Sequence, residues 1–75
     1  MKTKRNFTAI IEKEYDMYVA LCSELDIASQ EDSVEEAKNN LKEAIELFLE
    51  HASATEIKER LHTELFITQL EVVVG

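Results

Sequence analysis

Apolar and polar residues follow two different periods along this chain, and the first period is typical of strands. Three short segments are predicted to be extended, and the first of them is rich in β-branched and aromatic residues, which fit a half-buried pleated surface. These segments are residues 6–12, 17–22 and 27–30. Residues 14–16 have turn character, and an acidic turn around Glu24 and Asp26 precedes the third segment. The pattern predicts a hairpin followed by a third strand.

A helical period begins at Ser33. This residue lies three positions before Glu36, the spacing of a capping box, in which each side chain bonds the backbone N–H of the other residue. Apolar residues then recur with a period of 3.6, at Val34, Ala37, Leu41, Ala44, Ile45, Phe48 and Ala52. Ser53 and Glu56 repeat the capping spacing, which predicts a break near residue 53 and a short second helix to about Leu61.

Residues 65–74 predict a final strand that is apolar on both faces. One face carries Phe66, Leu70, Val72 and Val74, and the other carries Leu65, Ile67 and Val73. One helix covers only one face of a sheet, and a face left to water should be more polar. Because a 75-residue chain has a small core, we predict a homodimer or homotetramer with Phe66, Leu70, Val72 and Val74 in its interface. A strongly twisted sheet that wraps the helix is the alternative.

The predicted order is β-β-β-α-(short α)-β, which defines the fold class as α+β. We expect a three- to four-stranded sheet with one main helix packed on one face. The chain is short enough for a single domain over residues 1–75, with residues 1–5 as a disordered tail.

The charge balance is strongly acidic. The chain has 16 acidic and 8 basic side chains, for a net charge of −8, and three of the basic residues lie in the first five positions. An acidic surface repels phosphate backbones, so no direct nucleic-acid binding is expected. It also accelerates encounter with a basic partner, although solubility alone would explain the acidity.

The acidic residues of the long helix form a stripe opposite its apolar face. At 100° per residue, Glu36, Glu43 and Glu50 share this face, Glu46 lies beside them, and Leu47 lies among them. We predict that these five residues bind a protein partner. The alternative is a solvated face with an isolated surface leucine.

No arrangement of residues in the sequence indicates catalysis. The residues considered for metal or nucleophilic chemistry were Glu12, Cys22, Glu24, Asp26, His51 and His62. Their spacing does not bring them together as such chemistry requires, and Cys22 is expected to be a small buried hydrophobe. We therefore predict a protein that is not an enzyme, with no catalytic residue, cofactor or metal.

The compartment predicted for the protein is the cytoplasm. No apolar run follows the basic N-terminal residues, as a secretory signal would require. No apolar segment is long enough to span a membrane, so no membrane association is expected. The single cysteine fits a reducing compartment.

Three ordered blocks of the sequence resemble the HicB-like antitoxin family. They are Phe-Thr-Ala-Ile-Ile-Glu at 7–12 with the run at 18–30, the helix at 33–50, and the ending at 66–75. The resemblance implies a degenerate ribonuclease-H-like fold and homo-oligomeric assembly. It also implies neutralisation of a small basic RNase toxin of the HicA type by covering its catalytic surface.

The chain departs from the family pattern at two turns. Ser23 stands where the family usually has proline, and Glu31 stands where it usually has glycine, which adopts left-handed backbone at little cost. The DNA-binding segment of many relatives is not found after this domain, so operator binding is not expected. An orphan homo-oligomeric scaffold or regulatory protein of the same fold, without a toxin partner, is the alternative function.

Overall fold

The computed structural model describes residues 5–62 and 64–75. Three strands precede two helices, in the order β1 (Ala9–Glu14), β2 (Met17–Cys22), β3 (Ile27–Glu31), α1 (Val34–His51) and α2 (Ala54–Arg60). The strands form one antiparallel sheet in the order β1-β2-β3. The predicted α+β class is confirmed, and β1 is an edge strand.

A two-residue turn, Tyr15 and Asp16, joins β1 to β2. Tyr15 has a φ of 55°, and tight hairpins favour positive φ at this position because their twist then matches that of the strands. The pairing of β1 with β2 runs from Ala9 opposite Cys22 to Glu14 opposite Met17. It places β1 later in the chain than the predicted 6–12, whereas the bounds of β2 are as predicted.

The turn between β2 and β3 contains a core residue. Asp26 has a φ of 58°, and its N–H donates to the Cys22 carbonyl at 2.8 Å. This conformation turns Leu25 inward, where it is completely buried. The sequence pattern identified the turn but not its buried leucine.

The core lies between α1 and one face of the sheet, and α1 packs chiefly against β2 and β3. Its buried residues are Ala20, Cys22, Leu25, Ala37, Leu41 and Ile45. Cys22 is buried, as predicted. On the opposite face of the sheet, Ile10, Val19 and Leu21 remain partly exposed.

Both predicted helix starts are confirmed. The hydroxyl oxygens of Ser33 and Ser53 accept hydrogen bonds at 3.1 Å from the backbone N–H of the third following residue. Glu31 is the last residue of β3, so it needs no left-handed backbone, and its carboxylate accepts a hydrogen bond from the Asn40 amide. Val34, which the helical period placed on the apolar face, is 45% exposed.

The predicted fourth strand is not formed. Residues 64–75 pair with no strand in the described part of the chain, and all of them are exposed. Alternating apolar residues favour a strand, but a strand is stable only beside a hydrogen-bonding neighbour. The sheet has three strands for this reason, and the four side chains predicted to form an oligomer interface are 69–89% exposed. These are Phe66, Leu70, Val72 and Val74.

Two further points concern the predicted tail and the membrane. Most of the predicted disordered tail, residues 1–4, lies outside the described residues, and Arg5 is exposed. Neither helix in the described ranges has the length and apolar character needed to cross a membrane.

Candidate interaction surface

Helix α1 is the platform of the candidate surface. Its side chains at Ala37, Leu41 and Ile45 point into the core, which fixes the rotation of the helix about its axis. The opposite side of an 18-residue helix is then presented to solvent over about 27 Å. A partner would meet a rigid surface, because ordering the helix costs nothing further on binding.

All five residues predicted to bind a partner are on this outer side. Glu36, Glu43, Glu46 and Glu50 are exposed, and Leu47 is 57% exposed. We call these five residues the acidic stripe. An apolar side chain with carboxylates around it can bury area at the centre of a contact while the charges select a basic partner.

The basic residues of α1 lie on a different side of the helix. Lys38 and Lys42 line a groove of about 780 Å³ between α1 and the start of β1, whose apolar lining includes Phe7, Leu41 and Ile45. Most carboxylates of the helix therefore point outward and its lysines point toward the β1 edge, where Glu46 also borders the groove. The lysines leave the acidic stripe largely uncompensated.

Glu24, one of the carboxylates considered for metal chemistry, holds the chain together instead. Its two oxygens accept from the Thr8 N–H at 3.0 and 2.9 Å, and one also accepts from the Thr8 hydroxyl at 2.8 Å. Burial raises the pKa of Glu24, but these hydrogen bonds outweigh burial, so its pKa lies below the ordinary value. This carboxylate is committed to a structural contact.

Cys22 lies beside Glu24, with its Sγ 3.6 Å from a carboxylate oxygen. Burial and the neighbouring negative charge raise the pKa of the thiol, although the Leu25 backbone acts in the opposite direction. A buried thiol with a raised pKa is a poor nucleophile. Within residues 5–62 and 64–75, no three His, Cys, Asp or Glu side chains form a group that could hold a metal ion.

Arg60 is a structural residue that the sequence pattern did not reveal. Its guanidinium donates to the Leu25 carbonyl at 2.9 and 3.2 Å and to the Asp26 carbonyl at 3.1 Å. It also lies 5.0 Å from the centre of the Phe48 ring. These contacts attach α2 to the turn between β2 and β3, and no spacing in the sequence indicates contacts between residues 35 positions apart.

Comparisons of the chain with protein-family models, with curated proteins and with solved structures found no match. The function is therefore inferred from the acidic stripe on α1 and from the resemblance of the sequence blocks to the HicB-like antitoxin family.

Proposed function

We propose that this chain is a HicB-like antitoxin module that binds a small basic RNase toxin of the HicA type and covers its catalytic surface. The observation that carries the proposal is the acidic stripe, in which four exposed glutamates share the outer side of α1 with the exposed Leu47. The ordered sequence blocks at 7–30, 33–50 and 66–75 support the choice of family.

An RNase toxin must attract the negatively charged phosphate backbone of RNA. A protein that binds RNA neutralises phosphates with Lys and Arg, and a row of carboxylates offers the same sign of charge to those residues. Charge complementarity raises the association rate and fixes the orientation of the complex. Leu47 supplies the apolar area that such a contact needs at its centre.

The proposal includes a degenerate ribonuclease-H-like fold, homo-oligomeric assembly and a cytoplasmic location. The three-stranded antiparallel sheet with α1 on one face supports the α+β class to which that fold belongs. In this role the chain acts by binding and performs no catalysis.

A pull-down with the small basic protein encoded beside this chain tests the proposal. The stripe variant Glu43→Lys/Glu50→Lys is expected to weaken the complex at least 10-fold, because charge pairs in contact are each worth more than about 1.5 kcal/mol. Leu47→Asp should have a comparable effect. The matched control is Glu12→Lys/Glu59→Lys, which makes the same change in net charge at exposed positions outside α1.

The control separates a docking surface from general attraction between opposite charges. Equal weakening by the two double variants would exclude the stripe as the binding site. Absence of any complex, together with failure of co-expression to relieve toxicity, would overturn the antitoxin function.

The alternative is an orphan homo-oligomeric scaffold or regulatory protein of the same fold. The observation that favours it is the exposed apolar segment at residues 65–74, which suits self-association and needs no toxin. This alternative would fit if no small basic protein is encoded beside the chain. It would also require that variants of the acidic stripe change the net charge and no other measured property.

A further inference from the structure

Residues 65–74 expose far more apolar surface than a soluble chain normally leaves in one segment. Seven of these ten side chains are large hydrophobic groups that are 39–93% exposed. They are Leu65, Phe66, Ile67, Leu70, Val72, Val73 and Val74. A contiguous patch of this kind marks an interaction site.

The overall dimensions show that the chain is less compact than its length allows. The accessible surface is 6635 Å², whereas a compact chain of 8.6 kDa has about 4,700 Å². The radius of gyration of 14.7 Å also exceeds the roughly 11 Å of a compact domain of this length. The excess area of about 1,900 Å² per chain is more than a standard interface needs from each partner.

The edge of β1 is suited to receive an extended segment. β1 pairs with β2 on one side only, so its other side carries unpaired N–H and C=O groups that can template another strand. Beside this edge is the groove of about 780 Å³, with Phe7, Ala9 and Leu49 in its lining. A strand added to β1 would place alternate side chains into the groove against α1.

The charges of the groove and of the segment are complementary. Arg5, Lys38 and Lys42 line the groove together with one carboxylate, Glu46, so its charged side chains sum to a positive charge within an acidic molecule. The only charged side chains of residues 64–75 are Glu64 and Glu71. The segment is therefore attracted to this basic-lined groove.

The point at which residues 65–74 leave the folded part of the chain limits where they can pair antiparallel with β1. The two possibilities are the β1 of the same chain and the β1 of a second copy. The His62 N–H donates to the Glu24 carbonyl at 2.8 Å, and the Glu24 carboxylate holds Thr8, so the segment departs near the start of β1. To run antiparallel to its own β1, it would first have to travel the six residues of that strand, about 20 Å. The three Cα–Cα steps from His62 to Leu65 span at most about 11 Å.

We propose that residues 65–74 form an antiparallel strand on the β1 edge of a second copy of this chain, with the exchange reciprocal in a dimer. Each segment fills the partner's groove between β1 and α1, and each sheet gains a fourth strand. Antiparallel addition continues the ladder already present and is slightly more stable per residue than parallel pairing. Of the acidic stripe, Glu46 borders the filled groove, whereas Glu36, Glu43, Leu47 and Glu50 are not in its lining and stay open in this dimer.

Purified protein alone tests the proposal, so the result is independent of any toxin. Analytical ultracentrifugation of the wild type is expected to show a dimer. Ala9→Arg, which fills the groove from an exposed position, and Leu70→Asp/Val72→Asp, which damages the strand, should each weaken dimerisation at least 10-fold. Ala28→Arg is the matched control, because Ala28 is exposed on β3 and faces away from the groove.

A mixing experiment identifies the exchange itself. Ala9→Arg keeps an intact segment, and Leu70→Asp/Val72→Asp keeps an open groove, so a tagged chain of one variant should retain an untagged chain of the other. Failure of the mixture to form this heterodimer would overturn the proposal. A monomeric wild type, or a dimer that resists both variants, would overturn it as well. A monomeric wild type would mean that the segment folds on its own chain. A dimer that resists both variants would mean that another face joins the copies.

Discussion

The Glu24 carboxylate joins two parts of the chain that are 16 residues apart in sequence. It accepts hydrogen bonds from both the N–H and the hydroxyl of Thr8, at the point where the chain enters β1. The same residue accepts the His62 N–H at its backbone carbonyl. One residue thus fixes the entry to the sheet and the exit from α2.

We expect the stability contributed by Glu24 to depend on pH. Its pKa is depressed in the folded state from the ordinary value of 4.5, so the ionised form is favoured by folding. This stabilisation is fully present above the ordinary pKa and is lost as the pH falls through the lower folded value. Glu24→Gln should lower the free energy of unfolding by about 1 kcal/mol at pH 7, because the contact is partly solvent-screened and the amide oxygen still accepts a hydrogen bond.

Urea unfolding of wild type and Glu24→Gln between pH 3 and pH 7 measures this effect, with Glu12→Gln as the control. The difference between Glu24→Gln and wild type should shrink below about pH 4.5. A difference that stays constant over the whole range would show that the charge of Glu24 is not the source of its contribution.

The conformation and burial of single residues were harder to predict from sequence than the helices. Tyr15 adopts positive φ because the two-residue turn requires it, although a bulky residue disfavours that backbone. Leu25 is buried inside a turn that its acidic neighbours marked as surface. Glu31 remains extended and bonds Asn40, so the glycine usual in the resembled family is not needed. In each case the tertiary environment overrides the local signal.

Among the elements, α2 is attached mainly at its C-terminal end, where Arg60 bonds the turn between β2 and β3 and the C-cap Leu61 packs against the core. The helix has seven residues and none of them is buried, and an isolated helix of that length is unstable in water. Arg60 supplies its link through hydrogen bonds to the carbonyls of Leu25 and Asp26 and through the ring of Phe48. The planar guanidinium suits this double role, which a lysine ammonium cannot reproduce.

Arg60→Ala is therefore expected to destabilise the fold by about 1 kcal/mol, since the contacts are partly solvent-screened. Arg60→Lys should resemble Arg60→Ala more than wild type. Hydrogen exchange at the His62 amide should become faster in both variants, because α2 no longer holds the chain against Glu24. Lys58→Ala is the control on the same helix, and an equal effect there would show that Arg60 has no special role.

The helices were predicted correctly from sequence, whereas the predicted last strand is not formed in the structure, for a physical reason. A helix satisfies its hydrogen bonds locally, so capping residues and a period of 3.6 define it. Ser33 and Ser53 accordingly gave both helix starts. A strand requires a neighbour, and the apolar alternation of residues 65–74 does not specify which edge or which copy supplies it. The acidic stripe was predictable because it follows from helix rotation alone.

The net negative charge of the whole molecule destabilises helix α1, which carries the acidic stripe. Residues 6–75 contain 16 acidic and 5 basic side chains, and net charge far from zero destabilises a compact state by self-repulsion. Within the acidic stripe, Glu46 repels Glu50 at a spacing of four and Glu43 at a spacing of three. A docking surface for a basic partner would offset this repulsion on binding, because each glutamate would then face an opposite charge.

Removing charge from the acidic stripe should accordingly have opposite effects on stability and on binding. Glu43→Gln/Glu50→Gln is expected to raise the free energy of unfolding by about 0.5 kcal/mol at low salt, with a smaller gain in 0.5 M NaCl because salt screens exposed charges. The same variant should weaken binding of a basic partner and slow its association. Thermal unfolding and surface plasmon resonance measure the two quantities, with Glu12→Gln/Glu59→Gln as the control of equal charge. A stripe variant that is both more stable and equally well bound would identify the glutamates as solubilising residues only, because repulsion would then be relieved without loss of any contact.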